Sequence, residues 1–339
     1  MPQNMPADPQ LSRRRCLVIR FAAASASGHG GQRRSCQIDQ RLREEGFDCE
    51  AWLVPPRNRW RWLRNLARHG LAELIKLRRL GFTVRGALEV AMQYPDLERI
   101  DASRYDRVVI EATNCAAATI WAHRQGLDAV AYPHNVECLV DPFVGSPAVP
   151  RRLALRLIDE VATLKLVDEV HTISGEDAWF YAQFGIRASV FPYSAIATSS
   201  VTARQPCSHR HRILVMGTAT NPPTAHGIEQ VIANAPPVEG VIYTIVGAGT
   251  ERFRAAAMRE DVEICGRVSN ARLIELYSET RYALCYQEFG SGLLTRIENL
   301  LTEGIPVWAN RHAARGYAPR PDLHVFENWA EFATAISAE

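Results

Sequence analysis

The chain has 339 residues, room for about two domains at roughly 150 residues each, and is 47 % apolar and 22 % charged. That globular composition excludes a largely disordered, collagen-like or coiled-coil chain, and its longest apolar stretches, such as Ala116 to Trp121 and Ile305 to Ala309, fall far short of the roughly 20 residues that cross a bilayer. The formal net charge of +2 conceals an asymmetry: nine Arg and Lys against the single acid Glu73 give the stretch Arg57 to Arg85 a charge of +8, leaving −6 for the rest.

Residues 1–14 lack the apolar core of a secretory signal and read as a disordered leader. Eight scattered cysteines without a Cys-x-x-Cys pair read as reduced core residues, and a cytoplasmic protein is expected. Short β-branched runs then alternate with amphipathic ones, the pattern of βα units on a parallel sheet. Strands are predicted at Cys16–Phe21, Glu50–Val54, Arg107–Glu111, Ala129–Tyr132, Glu169–Ile173 and Ser189–Pro192, with helices such as Arg33–Glu45 and Pro150–Leu166 between them. A linker rich in Ser, Thr and Ala follows at 195–210. A second series runs through Arg212–Met216, Val241–Val246, Val262–Cys265, Tyr282–Cys285, Ile305–Ala309 and Leu323–Phe326. The fold class is therefore α/β, with two Rossmann-like doubly wound domains, 15–194 and 211–326, facing a central cleft. A closing helix over 327–339 is expected to return to the first domain. Ligands of such sheets bind at the carboxyl ends of the strands, so the loops after strands should carry the function.

Three of those loops carry chemistry. After the first strand, Gly28-His29-Gly30-Gly31 leads into a helix whose bare N-terminus suits an anion; Arg33 stands where the dinucleotide fingerprint needs glycine. After the fourth strand, Tyr132-Pro133-His134-Asn135-Val136-Glu137 offers His134 as a base or sugar contact, with no second His or Cys at metal-ligand spacing. In the second half, Glu288-Phe289-Gly290-Ser291-Gly292-Leu293 opens a helix carrying Arg296, Glu298 and Asn299 and ending at Gly304, the pattern of a diphosphate cradle.

With these motifs, Ile173-Ser174-Gly175-Glu176-Asp177, Met216-Gly217-Thr218 with Gly227, Ile245-Val246-Gly247-Ala248-Gly249 and Cys265-Gly266-Arg267-Val268 occur in the order and spacing of a known family. Over about residues 15–326 the chain resembles GT-B glycosyltransferases of the large GT4-type retaining group. The resemblance implies transfer of a sugar from a nucleotide diphosphate sugar to a glycan or lipid-linked acceptor, during assembly of surface polysaccharide or glycolipid, with no further cofactor. It implies Gly30, Gly31, Gly217, Glu288, Gly290, Ser291, Gly292, Leu293, Glu298 and Asn299 as donor contacts, and His134, Arg267 and Arg296 as the catalytic set. In the family a glutamate that contacts the ribose lies five residues before the glycine of Gly-x-Pro; here that position is Asn299, with Glu298 rotated about 100° around the helix. Asn299 motivates an alternative, a catalytically silent subunit that binds a sugar nucleotide or a partner enzyme. No Asp-x-Asp occurs, so a metal-independent reaction is expected.

In the basic stretch, Arg57, Arg59, Trp60, Arg61, Trp62 and Arg64 interleave guanidinium and indole groups. That pattern suits an anionic membrane surface or a lipid-diphosphate acceptor. A nucleic acid is not expected, since nothing else in the chain resembles a nucleic-acid module. Gly70 and Gly81 are expected to break the stretch into two short helices.

Overall fold

The computed structural model describes residues 14–338 except 26, 27, 29, 57, 112, 141–148, 196–210, 256 and 258, so the expected leader and linker lie almost wholly outside the described residues. The first sheet comprises β1 (Arg14–Arg20), β2 (Phe47–Leu53), β3 (Arg107–Ile110), β4 (Asp128–Ala131), β5 (Glu169–Thr172) and β6 (Ser189–Val190), ordered β2-β1-β3-β4-β5-β6 and parallel throughout. Its helices are α1 (Gly30–Glu44), α2 (Arg59–Arg79), α3 (Val84–Leu97), α4 (Ala116–Gln125), α5 (Val149–Leu164) and α6 (Gly175–Ala182). The second sheet, also parallel, comprises β7 (His211–Met216), β8 (Val241–Val246), β9 (Val262–Gly266), β10 (Thr280–Cys285), β11 (Val307–Asn310) and β12 (Leu323–Phe326), ordered β12-β11-β10-β7-β8-β9. It carries α7 (Pro222–Asn234), α8 (Asn270–Glu279), α9 (Thr295–Thr302) and α10 (Trp329–Ser337).

Strand β1 explains how one sequence run serves two layers. Alternate side chains of a strand point to opposite faces. Cys16 and Val18 meet Ile38 and Leu42 of α1, whereas Leu17 and Ile19 join Ala87, Val90 and Trp121 of α3 and α4. Strand order reverses beside β1 and β3 in the first sheet and beside β7 and β10 in the second, and the loops leaving these strands are where open α/β sheets bind ligands.

Two expectations are corrected. Helix α2 runs through Gly70, and the break comes only at Gly81, whose φ of 92° is closed to ordinary helical residues. One glycine inside a long helix costs only about 1 kcal/mol, too little to end it. The closing helix α10 does not return to the first domain. Phe332 and Ile336 pack with Trp308 and Phe326 in the second domain's core, because Trp329, Phe332 and Ile336 form an apolar face at helical spacing. Phe332 is wholly buried, so Phe332→Ala should lower stability by about 3–5 kcal/mol in denaturant unfolding. A loss under about 1 kcal/mol would contradict this packing.

Candidate active site

The N-termini of α1 and α9 meet. A Cβ at Gly30 would stand 2.1 Å from Thr295 Oγ1, so only glycine allows this approach. The first turn of α1 has no acid, and the one acid near the start of α9, Glu298, pairs with Arg320 at 3.1 Å. Each helix N-terminus carries roughly half a positive charge with unsatisfied N–H groups, and two of them in contact favour an anion. Gly31 continues the first turn of α1.

Arg296, on the first turn of α9, reaches the loop after β7. Its Nη1 donates to Thr224 Oγ1 at 3.1 Å and lies 2.9 Å from where a Cβ of Gly217 would be. Asn221 caps α7 and sets Thr224 there, its side chain accepting from the Thr224 N–H. Among the described residues no carboxylate lies within 4.0 Å of Arg296, so its charge is available to a ligand. Arg267 stands apart. It follows β9, two strands and roughly 10 Å from β7, with its backbone N–H donating to Glu251 at 2.8 Å and its side chain exposed.

Glu288 accepts from His226 Nε2 at 2.6 Å and from the Tyr286 hydroxyl at 2.8 Å, and His226 beside it holds its carboxyl below the ordinary value. Gly290 adopts a φ of 107°. The rest of this loop departs from expectation. The Ser291 hydroxyl donates to the Val136 carbonyl at 2.9 Å and the Gly292 N–H to Asp177 Oδ1 at 3.4 Å, both in the first domain. Asn135, with its amide nitrogen turned to the two carbonyls, donates to Ser291 and to His134. Ser291 and Gly292 therefore join the two domains, with the buried Asp177 carboxylate at the start of α6 engaging the loop. Leu293, beyond them, accepts from the Thr295 N–H.

Asn299 Oδ1 accepts from the Tyr193 hydroxyl at 2.8 Å, which leaves its amide nitrogen for a ligand hydroxyl. Tyr193 is placed by Arg34 and Gln37 of α1, which both donate to the carbonyl of Pro192. Glu298 faces Arg320 instead, as its rotation around the helix requires.

On the first domain's rim, His134 follows β4 and is 24 % exposed, with Nε2 3.5 Å from Glu111 Oε2. Glu111 was missed by sequence reasoning; its one signal is an acid ending the apolar run Arg107–Ile110. Three residues beyond His134, burial and the neighbouring Glu160 push the Glu137 carboxyl up to about 7. Glu160 is engaged by the N–H groups of Glu137 and Cys138 and by the Tyr181 hydroxyl. An acid whose folded pKa is raised keeps its proton in the native state while the unfolded chain loses it. Stability should thus fall as pH rises from about 4.5 to about 7, by on the order of 1–3 kcal/mol. Glu137→Gln should flatten that part of the profile, and an unchanged slope would contradict the assignment.

In the basic stretch, Trp60 is 80 % exposed and Leu63 49 %, with Arg64 exposed beside them on α2. Arg57 lies outside the described residues, and of Arg59, Arg61 and Trp62 only the backbone is described. Among the described residues no helix is long and apolar enough to cross a membrane, and no group of three or more His, Cys, Asp or Glu could hold a metal ion.

No protein-family model matches the chain, and no curated protein matches it in sequence. Solved structures share its fold. Sucrose-phosphate synthase from Thermosynechococcus elongatus superimposes at a TM-score of 0.65 with 17 % identity, over 96 % of this chain and 89 % of that one. HepE of Anabaena, in complex with UDP and glucose, gives 0.56 with 14 % identity over 96 % and 89 %. TarM gives 0.51 with 10 % identity over 75 % and 51 %. The two parallel sheets with their flanking helices constitute the GT-B fold.

Proposed function

We propose that this chain is a glycosyltransferase that moves a sugar from a nucleotide diphosphate sugar to an acceptor hydroxyl. The observation that carries the reading is the contact between the N-termini of α1 and α9 beside Arg296, a cationic side chain with no carboxylate partner among the described residues. A diphosphate there gathers two helix ends and a guanidinium, and the same groups stabilise the negative charge that grows as the bond from sugar C1 to the diphosphate oxygen breaks. His134 meets a hydroxyl of the sugar or acceptor from the first domain. Metal independence accords with protein groups supplying the positive charge, and retention of configuration is what the sequence resemblance adds. HepE, of the same fold, was solved with UDP and glucose, which supports a nucleotide donor.

The test is incubation with a panel of sugar nucleotides, with and without glycan and lipid-linked acceptors, reading released nucleoside diphosphate. Acceptor-dependent release supports transfer. Binding without release from any donor favours the silent subunit, and release without acceptor favours an epimerase.

The acceptor side is proposed to work at an anionic membrane surface in the cytoplasm, in surface polysaccharide or glycolipid assembly. The exposed Trp60 and Leu63 beside Arg64, within a stretch of charge +8, favour this. Each basic residue near such a surface is worth about 1 kcal/mol before screening. Cosedimentation should rise with anionic lipid content, fall with salt, and drop when Arg57, Arg59, Arg61 and Arg64 become Ser. Equal binding to neutral and anionic vesicles would refute it.

A further inference from the structure

We propose that Glu111 is the positioning residue for His134, fixing the tautomer so that Nε2 carries the proton and Nδ1 is left as the acceptor offered to the cleft. This rests on the reading of the cleft as a sugar-transfer site. Glu111 follows β3 and is buried where three other segments converge. Its Oε1 lies 2.9 Å from Arg20 Nη2 at the end of β1, and its Oε2 accepts from Ser35 Oγ of α1 and faces His134 Nε2 at 3.5 Å. Burial pushes the Glu111 carboxyl up, but His134, Arg20 and Ser35 together outweigh it and leave it below the ordinary value, an anion.

Two features assign the proton. Arg20 also bonds Asp39 of α1 at 3.1 Å, so its guanidinium is shared between two carboxylates and meets Glu111 through Oε1, leaving Oε2 to Ser35 and to the edge where His134 sits. His134 Nε2 is itself buried and has no hydrogen-bond partner, and a nitrogen lone pair aimed at a carboxylate would be repelled. Nε2 must therefore bear hydrogen. The 3.5 Å separation is long for a hydrogen bond, as catalytic contacts often are before substrate engages. The exposed part of the ring is then not this nitrogen, and Nδ1 carries the lone pair that a substrate hydroxyl can meet. The Ser35 hydroxyl gives its one proton to Glu111, so one carboxylate ties the imidazole to α1, the helix whose N-terminus faces α9.

The test is imidazole 15N NMR of the full chain, with the His134 resonances identified by their loss in His134→Ala, together with steady-state kinetics of Glu111→Gln. The expected result is that Nε2 is the nitrogen that keeps its proton in the neutral form of the ring. Glu111→Gln should lower kcat at least tenfold, leave donor KM and nucleoside diphosphate Kd within about twofold, and cost nothing further in the His134→Ala background. A ring protonated at Nδ1, or an equal loss from Glu111→Gln with and without His134, would overturn the proposal. Should Glu111→Gln fail to fold, the wild-type tautomer decides alone. That readout needs no turnover, whereas the transferase reading fails separately, by absence of acceptor-dependent nucleoside diphosphate release.

Discussion

His134→Ala should lower turnover by on the order of a hundredfold or more while leaving nucleoside diphosphate affinity within about twofold. The ring sits on the first domain's rim, and its one charged neighbour within 4.0 Å among the described residues is Glu111, so its loss leaves the anion site of α1, α9 and Arg296 intact. A positioned imidazole acting on a reacting hydroxyl contributes about 10²–10⁴ in rate. Single-turnover measurement beside calorimetry separates the two effects. Unaffected turnover would make His134 structural, a brace between Glu111 and the Asn135 amide.

Arg296→Ala should weaken nucleoside diphosphate binding roughly ten- to hundredfold, the worth of one charge-assisted contact of about 1.5–3 kcal/mol. Its Nη1 already bonds Thr224, so the side chain is held in place before a ligand arrives and little ordering cost opposes binding. Arg296→Lys should recover only part of the affinity, because an ammonium cannot keep both the Thr224 bond and a forked contact to phosphate. A folded Arg296→Ala protein with wild-type affinity, read by calorimetry, would refute this role.

The strands were legible because a parallel sheet covered on both faces needs continuous β-branched runs, and Val241–Val246 and Leu323–Phe326 fall where the sequence predicts them. Helix rotation was legible by counting, which already separated Glu298 from Asn299. What local pattern does not hold is contact across strand order. Arg20, Ser35, Asp39, Glu111 and His134 converge only because β1 lies beside β3 and β3 beside β4, and no spacing in the chain announces that neighbourhood. Ser291 and Gly292 read as part of an anion loop for the same reason: the Asp177 carboxylate that engages the Gly292 N–H comes from more than a hundred residues away. Tyr193, which engages Asn299, lay beyond reach because its position depends on Arg34 and Gln37 fixing the backbone just before it.

Titration calorimetry of the full chain against matched nucleosides, nucleoside monophosphates and nucleoside diphosphates shows whether the contact between α1 and α9 beside Arg296 binds a diphosphate. At least one nucleoside diphosphate should bind about a hundredfold more tightly than its nucleoside, with the monophosphate between them, since the added phosphates meet Arg296 and two helix N-termini. Equal affinity for nucleoside and nucleoside diphosphate, or no binding by any diphosphate, would contradict it.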